Sequence, residues 1–284
     1  MPIFQIDSDI VNQTYQDNNY QIEFNNNCPF QEYCAIYFSS NDIYYPNNEQ
    51  TFRQRIIIQN SYEWYKTRIV KAYKHIFLRD IYKQWYLKGI NSQINSPQKL
   101  IEWLKNETNG YKIITIGSSA GGYAAILYGS MLNAHKVIAF NPQFEIRTIL
   151  NEPEGILKNP IVNATLNTAD AIYLNISNLI SNKIKIFYFY SSNSPWDYQQ
   201  SLLAKKHTNI FSIQFKSSHH GIPFLKGALQ KVINYPEEYL YQLSLKTHYP
   251  IIFTIKTIGI FSTLQALNTQ LKKYIKRKFP IKIK

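Results

Sequence analysis

Short, unbroken runs of apolar residues alternate with amphipathic stretches along most of this chain, and that alternation leaves few folds open. CAIYFSS (34–40), KHIFLRD (74–80), KIITIG (112–117), KVIAF (136–140), KIKIFYFYS (183–191) and NIFSIQF (209–215) read as strands. Between and after them, SYEWYKTRIVKAY (61–73), SPQKLIEWLKNE (96–107), GYAAILYGSMLNA (122–134), DYQQSLLAKKH (197–207) and PFLKGALQKVINY (223–235) read as helices. The second of these opens on Ser96 with Pro97 in its first turn. Strands apolar throughout are buried on both faces, so the expected fold is α/β, a mainly parallel central sheet with helices on both faces. Such a sheet carries its site at the carboxyl ends of the strands.

The strand KIITIG breaks into Gly117-Ser118-Ser119-Ala120-Gly121, the form G-x-S-x-G. In that form a strand turns sharply into a helix and holds a serine hydroxyl at the tip, with small neighbours because bulk there would strike the strand and helix. Ser119 is therefore either a nucleophile or a small residue opening a helix. In α/β-hydrolases the chain order is nucleophile, acid, histidine, the last two following later strands. KIKIFYFYS runs into SNSPWD, which supplies Asp197, and NIFSIQF runs into KSSHHG, which supplies His219 and His220. Asp197 has an alternative role as N-cap of the following helix. His220, directly before Gly221, is the preferred base over its neighbour His219. A serine hydroxyl needs such an imidazole to take its proton, and the imidazole needs a carboxylate to fix its tautomer. Oxyanion donors are expected from the backbone of Ala120 and from the loop Ser39-Ser40-Asn41, with Ser40 the preferred residue.

Composition narrows the partners. The chain has 284 residues, with 31 Lys and Arg against 18 Asp and Glu, for a net charge of +13. That field attracts polyanions such as anionic lipid or an acidic glycan, whereas no recognition-helix or RNA-binding signature points to nucleic acid. Two cysteines, Cys28 and Cys34, make no disulfide framework and no metal-ligand spacing, so no metal is expected. MPIFQIDSDIV has neither the basic region nor the apolar core of a signal peptide, which makes the cytoplasm the expected location. YPIIFTIKTIGIFSTLQAL, broken by Pro250, Lys256 and Gly259, falls short of a membrane span.

FSSN (38–41), IFLRDIYKQWYLKGIN (76–91), GSSAGGYAAILYG (117–129), FNPQ (140–143) and HHGIPFLKGAL (219–229) together resemble a bacterial branch of the α/β-hydrolase superfamily encoded among capsule and surface-polysaccharide biosynthesis genes. That branch is similar to serine-triad capsular polysaccharide O-acetyltransferases. The resemblance spans residues 34–235 and implies Ser119, Asp197 and His220 as the triad. It implies acyl transfer to a glycan, with acetyl-CoA as donor cosubstrate and no resident cofactor; an esterase using the same triad, or an idle scaffold in a capsule-assembly complex, are the alternatives. Ser39, Asn41, Arg79, Gln143 and His219 lie toward the site-bearing edge and are candidate substrate contacts, although Arg79 with Asp80 also reads as a structural ion pair.

The expected organisation is an N-terminal extension (1–33) packed on the core, a catalytic domain (34–240) and a basic amphipathic helical extension (241–284). In the last, Phe261, Leu264, Leu267, Leu271 and Ile275 recur at helical spacing before Lys272, Lys273, Lys276, Arg277 and Lys278. The helix either packs on the domain with a solvated basic end, lies at the anionic cytoplasmic leaflet, or grips an acidic polymer.

Overall fold

The computed structural model of the chain describes residues 3–148 and 159–278, residues 273–278 by backbone alone. Among these residues a seven-stranded sheet forms from β1 (Tyr20–Phe24), β2 (Tyr33–Phe38), β3 (Lys74–Leu78), β4 (Lys112–Ser118), β5 (Lys136–Phe140), β6 (Lys185–Ser191) and β7 (Ile210–Phe215). Its order is β1-β3-β2-β4-β5-β6-β7, parallel throughout except that β1 runs antiparallel to β3. Helices α1 (Phe4–Asp7), α2 (Asp9–Thr14), α3 (Glu49–Phe52), α4 (Pro97–Glu107), α5 (Ala120–Met131), α6 (Pro160–Thr165), α7 (Pro195–Ala204), α8 (Leu229–Val232), α9 (Glu237–Ser244), α10 (Pro250–Ile258) and α11 (Ile260–Lys278) accompany it. A mainly parallel sheet with helices on both faces and a G-x-S-x-G turn between β4 and α5 is the α/β-hydrolase fold.

Period-two alternation explains why the strands are apolar on both sides. Along β6, Ile186, Tyr188 and Tyr190 enter the core shared with α4 and α5, while Phe187 and Phe189 enter the opposite core with Trp64, Leu229 and Phe253. Each core lies between the sheet and one helical layer, so every strand but the edge strand β1 is anchored twice.

The structure departs from the expected organisation in five places. Residues 61–73 form turns rather than a helix. Their amides are satisfied at long range: Arg68 N donates to Gln230 Oε1 (2.9 Å), Ile69 N to Tyr37 Oη (2.8 Å) and Val70 N to Asn234 Oδ1 (2.7 Å). Burial of Tyr62, Trp64 and Ile69 in the core competes with a regular helix and wins. The helix expected over 223–235 shortens to a 3₁₀ turn, Lys226–Ala228, followed by α8. A helical segment from α3 through the π-turn Arg53–Ile58 had no counterpart in the sequence pattern. Finally, the N-terminal segment is part of the sheet: β1 pairs with β3 from Tyr20↔Leu78 to Phe24↔Lys74, and Val11 of α2 is buried with Tyr44, Phe52 and Ile81. The boundary placed at 240/241 falls inside α9.

A truncation beginning at Asn26 therefore uncovers both the edge of β3 and this small apolar cluster. We expect it to unfold at markedly lower temperature than the full chain and to aggregate, measured by thermal unfolding and size-exclusion chromatography.

Candidate active site

Strand β4 ends at Ser118 and α5 begins at Ala120, so Ser119 alone carries the reversal of the chain, at φ 53° and ψ −123°. For a residue with a Cβ this conformation costs on the order of 1–3 kcal/mol and persists only where the surroundings impose it. They do so here by contact. A Cβ on Gly117 would lie 1.9 Å from the Gly121 carbonyl oxygen, and one on Gly121 would lie 2.2 Å from that of Phe38. The two glycines thus let strand, helix and the end of β2 close on one another, while the Ser119 amide donates to the Phe140 carbonyl (2.9 Å) at the end of β5. The hydroxyl faces a cavity of about 1560 Å³.

His220 joins the three elements. Its Nε2 accepts from the Ser119 hydroxyl at 2.8 Å, and its Nδ1 donates to Asp197 Oδ1 at 2.8 Å. Asp197 is 1% exposed and sits in the first turn of α7. Ser194 is the N-cap of that helix, its Oγ accepting from the Asp197 amide (3.3 Å), and Pro195 takes the first position. The Asp197 carboxylate is consequently released from capping and is left to face His220. The indole of Trp196 stacks on the imidazole at 5.3 Å between centroids and 15° between planes.

His219 also lines the cavity but hydrogen-bonds neither Ser119 nor Asp197. Burial, with Lys226 and His220 nearby, holds its imidazole below the ordinary value of 6.5, which keeps it neutral at neutral pH. Of the oxyanion candidates, the Ala120 amide stands in the first turn of α5, where it has no intrahelical acceptor. The Ser40 amide does not face the oxyanion freely: it donates to Glu63 Oε2 at 2.6 Å, because the chain turns at Asn41–Ile43 and presents it to the folded-back segment 61–65. Burial raises the Glu63 carboxyl above its usual range, and the Ser40 contact offsets only part of that.

Three substrate candidates are structural. Ser39 is buried, its hydroxyl accepting from the Glu63 amide and its carbonyl from the Tyr86 hydroxyl. Arg79 is buried away from the cavity, donating to Asn19 Oδ1 (3.0 Å) and to the Ser61 carbonyl (3.3 Å). It does not pair with Asp80, whose carboxylate instead accepts from the amides of Tyr82, Lys83, Gln84 and Tyr86. Gln143 is fully buried and accepts from Trp85 Nε1 at 2.9 Å, which fixes an indole that does line the cavity. Asn41 remains on the cavity wall, donating to the Lys83 carbonyl.

Asn141 is the functional residue that pattern reading missed. At φ 41°, its side-chain amide donates to the Gly221 carbonyl (2.8 Å), the His219 carbonyl (3.3 Å) and Ser191 Oγ (3.1 Å), and its oxygen accepts from the Ser191 amide (2.8 Å). One side chain thereby ties the ends of β5 and β6 to the loop that carries His220. The available signal was the left-handed tolerance of asparagine directly after a strand, in the segment FNPQ.

No family model matches the chain, and no curated protein matches it. Among solved structures it is similar to the capsule O-acetyltransferase of Neisseria meningitidis serogroup A, with 14% identity over 81% of this chain and 92% of that one and a TM-score of 0.49. A mutant of that enzyme in complex with CoA matches at 14% identity over 80% and 92%, with a TM-score of 0.45. Esterase B from Lactobacillus rhamnosis matches at 12% identity over 92% and 91%, with a TM-score of 0.44. These are likenesses of fold alone.

Asn141→Ala should leave the sheet intact but loosen the His220 loop. We expect kcat on a small activated ester to fall about 10²-fold with KM little changed, because a misplaced group of this kind costs rate rather than binding. Asn141→Asp, which sets a carboxylate against two carbonyl oxygens, should fall further.

Proposed function

We propose that this chain is a serine acyltransferase that O-acetylates a bacterial surface or capsular polysaccharide from acetyl-CoA. The observation that carries the reading is the continuous relay from Ser119 Oγ through His220 to Asp197, with both contacts at 2.8 Å. In this mechanism Ser119 Oγ attacks the thioester carbonyl while His220 Nε2 takes its proton, and the imidazolium is stabilised by Asp197. The C–S bond breaks and the departing thiolate takes the proton from His220. A glycan hydroxyl then attacks the acetyl-serine, giving its proton to His220, which returns it to Ser119 Oγ as that ester bond breaks. The Ala120 amide stabilises the oxyanion in both halves.

The cavity supports a large, hydroxyl-rich acceptor. Trp196, with 39% of its surface exposed, offers a ring to a sugar, and Asn41, Gln265 and Gln270 offer amide groups to its hydroxyls. Lys226, exposed on the wall, and the net charge of +13 suit the phosphates of CoA or an acidic glycan. Hydrolysis is the second reading, favoured by the 35% exposure of the His220 side chain, which gives water access to the acyl-serine.

Incubation with acetyl-CoA, with and without capsular oligosaccharide, separates the two. CoA release that requires the glycan, with acetate recovered on it, supports transfer; equal release without it supports hydrolysis; no release under either condition contradicts both. Ser119→Ala should reduce turnover by about 10⁴-fold or more while the protein stays folded. His220→Ala should lose a comparable amount, and His219→Ala less than about tenfold. The reverse ranking of the histidines would contradict the assignment.

A further inference from the structure

The C-terminal helix α11 is amphipathic in an unusual sense. Three residues and one turn apart, Ser262, Gln265, Ala266 and Thr269 line the cavity that contains Ser119. A Cβ on Gly227 would stand 2.9 Å from Ala266 Cβ, so the helix lies close against this wall. At 100° per residue the apolar positions Ile260, Phe261, Leu264 and Leu271 fall on a different face, centred on Leu264 and roughly opposite the cavity. Phe261 is 85% exposed and Leu264 57% exposed. On α10, joined to α11 at Gly259 with φ 82°, Ile251 and Ile252 are exposed as well. The helix does pack on the domain, but not through its apolar stripe. The packed side carries Thr263 and Ala266, and the apolar ridge points outward. The basic cluster Lys273, Lys276, Arg277 and Lys278, with Ile275, lies outside the residues whose side chains are described.

An outward ridge of large apolar residues needs a partner. The composition around it selects one: from residue 245 to 284 there are nine basic residues and no acidic one, with Lys246, Lys256 and Lys272 exposed. A bare apolar ridge would suit a second copy of the chain, but this charge set against another copy of itself repels, whereas it complements an anionic surface. Among the described residues no helix is long and apolar enough to cross a membrane, so contact would be at the interface.

We propose that α10 and α11 dock this chain on an anionic lipid bilayer, with Phe261 and Leu264 at the acyl boundary and the lysines among the headgroups. The polar face of α11 then lines the cavity on one side of a single helix while its apolar face meets lipid on the other. The cavity lies within about 10–12 Å of the bilayer surface, the thickness of that helix. This inference does not depend on the reaction.

The test is flotation of the full chain with vesicles of phosphatidylcholine alone and of phosphatidylcholine with roughly one third phosphatidylglycerol. The wild type should float with the anionic vesicles at low salt and be released as NaCl rises from about 0.05 M to about 0.5 M. Phe261→Glu with Leu264→Glu should weaken binding by about tenfold or more, with thermal unfolding unchanged because both side chains are exposed. Light scattering on both proteins reads the alternative occupant. A wild type that fails to float, a double variant that floats equally well, or a wild-type dimer that the double variant converts to monomer would each overturn the proposal.

Discussion

The imidazole of His220 is the interaction on which the site depends. It bridges a hydroxyl at the end of β4 and a carboxylate beyond the end of β6, while its own loop follows β7. None of the three side chains is near another in sequence: Ser119 and His220 are 101 positions apart and Asp197 and His220 are 23 apart. Only the parallel register of the sheet brings these strand ends to one edge, so the sheet acts as the ruler that sets both 2.8 Å contacts. A misplacement near 1 Å at any strand end would separate the relay, so the loop that carries His220 has to be held to the ends of β5 and β6, which Asn141 does.

The strain at Ser119 fits the same logic. A left-handed serine is unfavourable alone, yet close packing of Gly117 on Gly121 and of Gly121 on Phe38 leaves the turn no relaxed alternative. Asn141 extends this control to the histidine loop by engaging the carbonyls on both sides of His220. On the opposite wall, the strained run through Lys83, Trp85 and Tyr86, all at positive φ, is pinned by the carboxylate of Asp80 and by the Gln143 contact to Trp85. Both walls are therefore preorganised by buried polar side chains that never face the cavity.

What was legible in the chain follows from how local each signal is. Strands buried on both faces announce themselves as unbroken apolar runs, and all six expected strands are present. The turn at Ser119 was legible because its geometry demands small residues at fixed spacing, and Asp197 and His220 because a parallel sheet gathers whatever follows its strands. β1 was missed because YQIEF is short, half-polar and half-buried, as suits an edge strand. Residues 61–73 were misread because their amides find Tyr37, Gln230 and Asn234, partners that no local pattern announces. Ser40, Arg79 and Gln143 were placed on the correct edge, but strand-end position says nothing of which way a side chain or amide turns. Glu63, Arg79's carbonyl partners and Trp85 decide that, through contacts distant in sequence.

The central claim is that His220 activates Ser119 for covalent attack. Intact-protein and peptide mass spectrometry after exposure to a fluorophosphonate tests it directly, since the reagent loses fluoride only to an activated hydroxyl. The account predicts one phosphonyl group per chain on Ser119 in the wild type, and labelling slowed by about 10²-fold or more in His220→Ala. Failure to label, labelling at Ser118 or elsewhere, or equal labelling of the His220→Ala protein would contradict it.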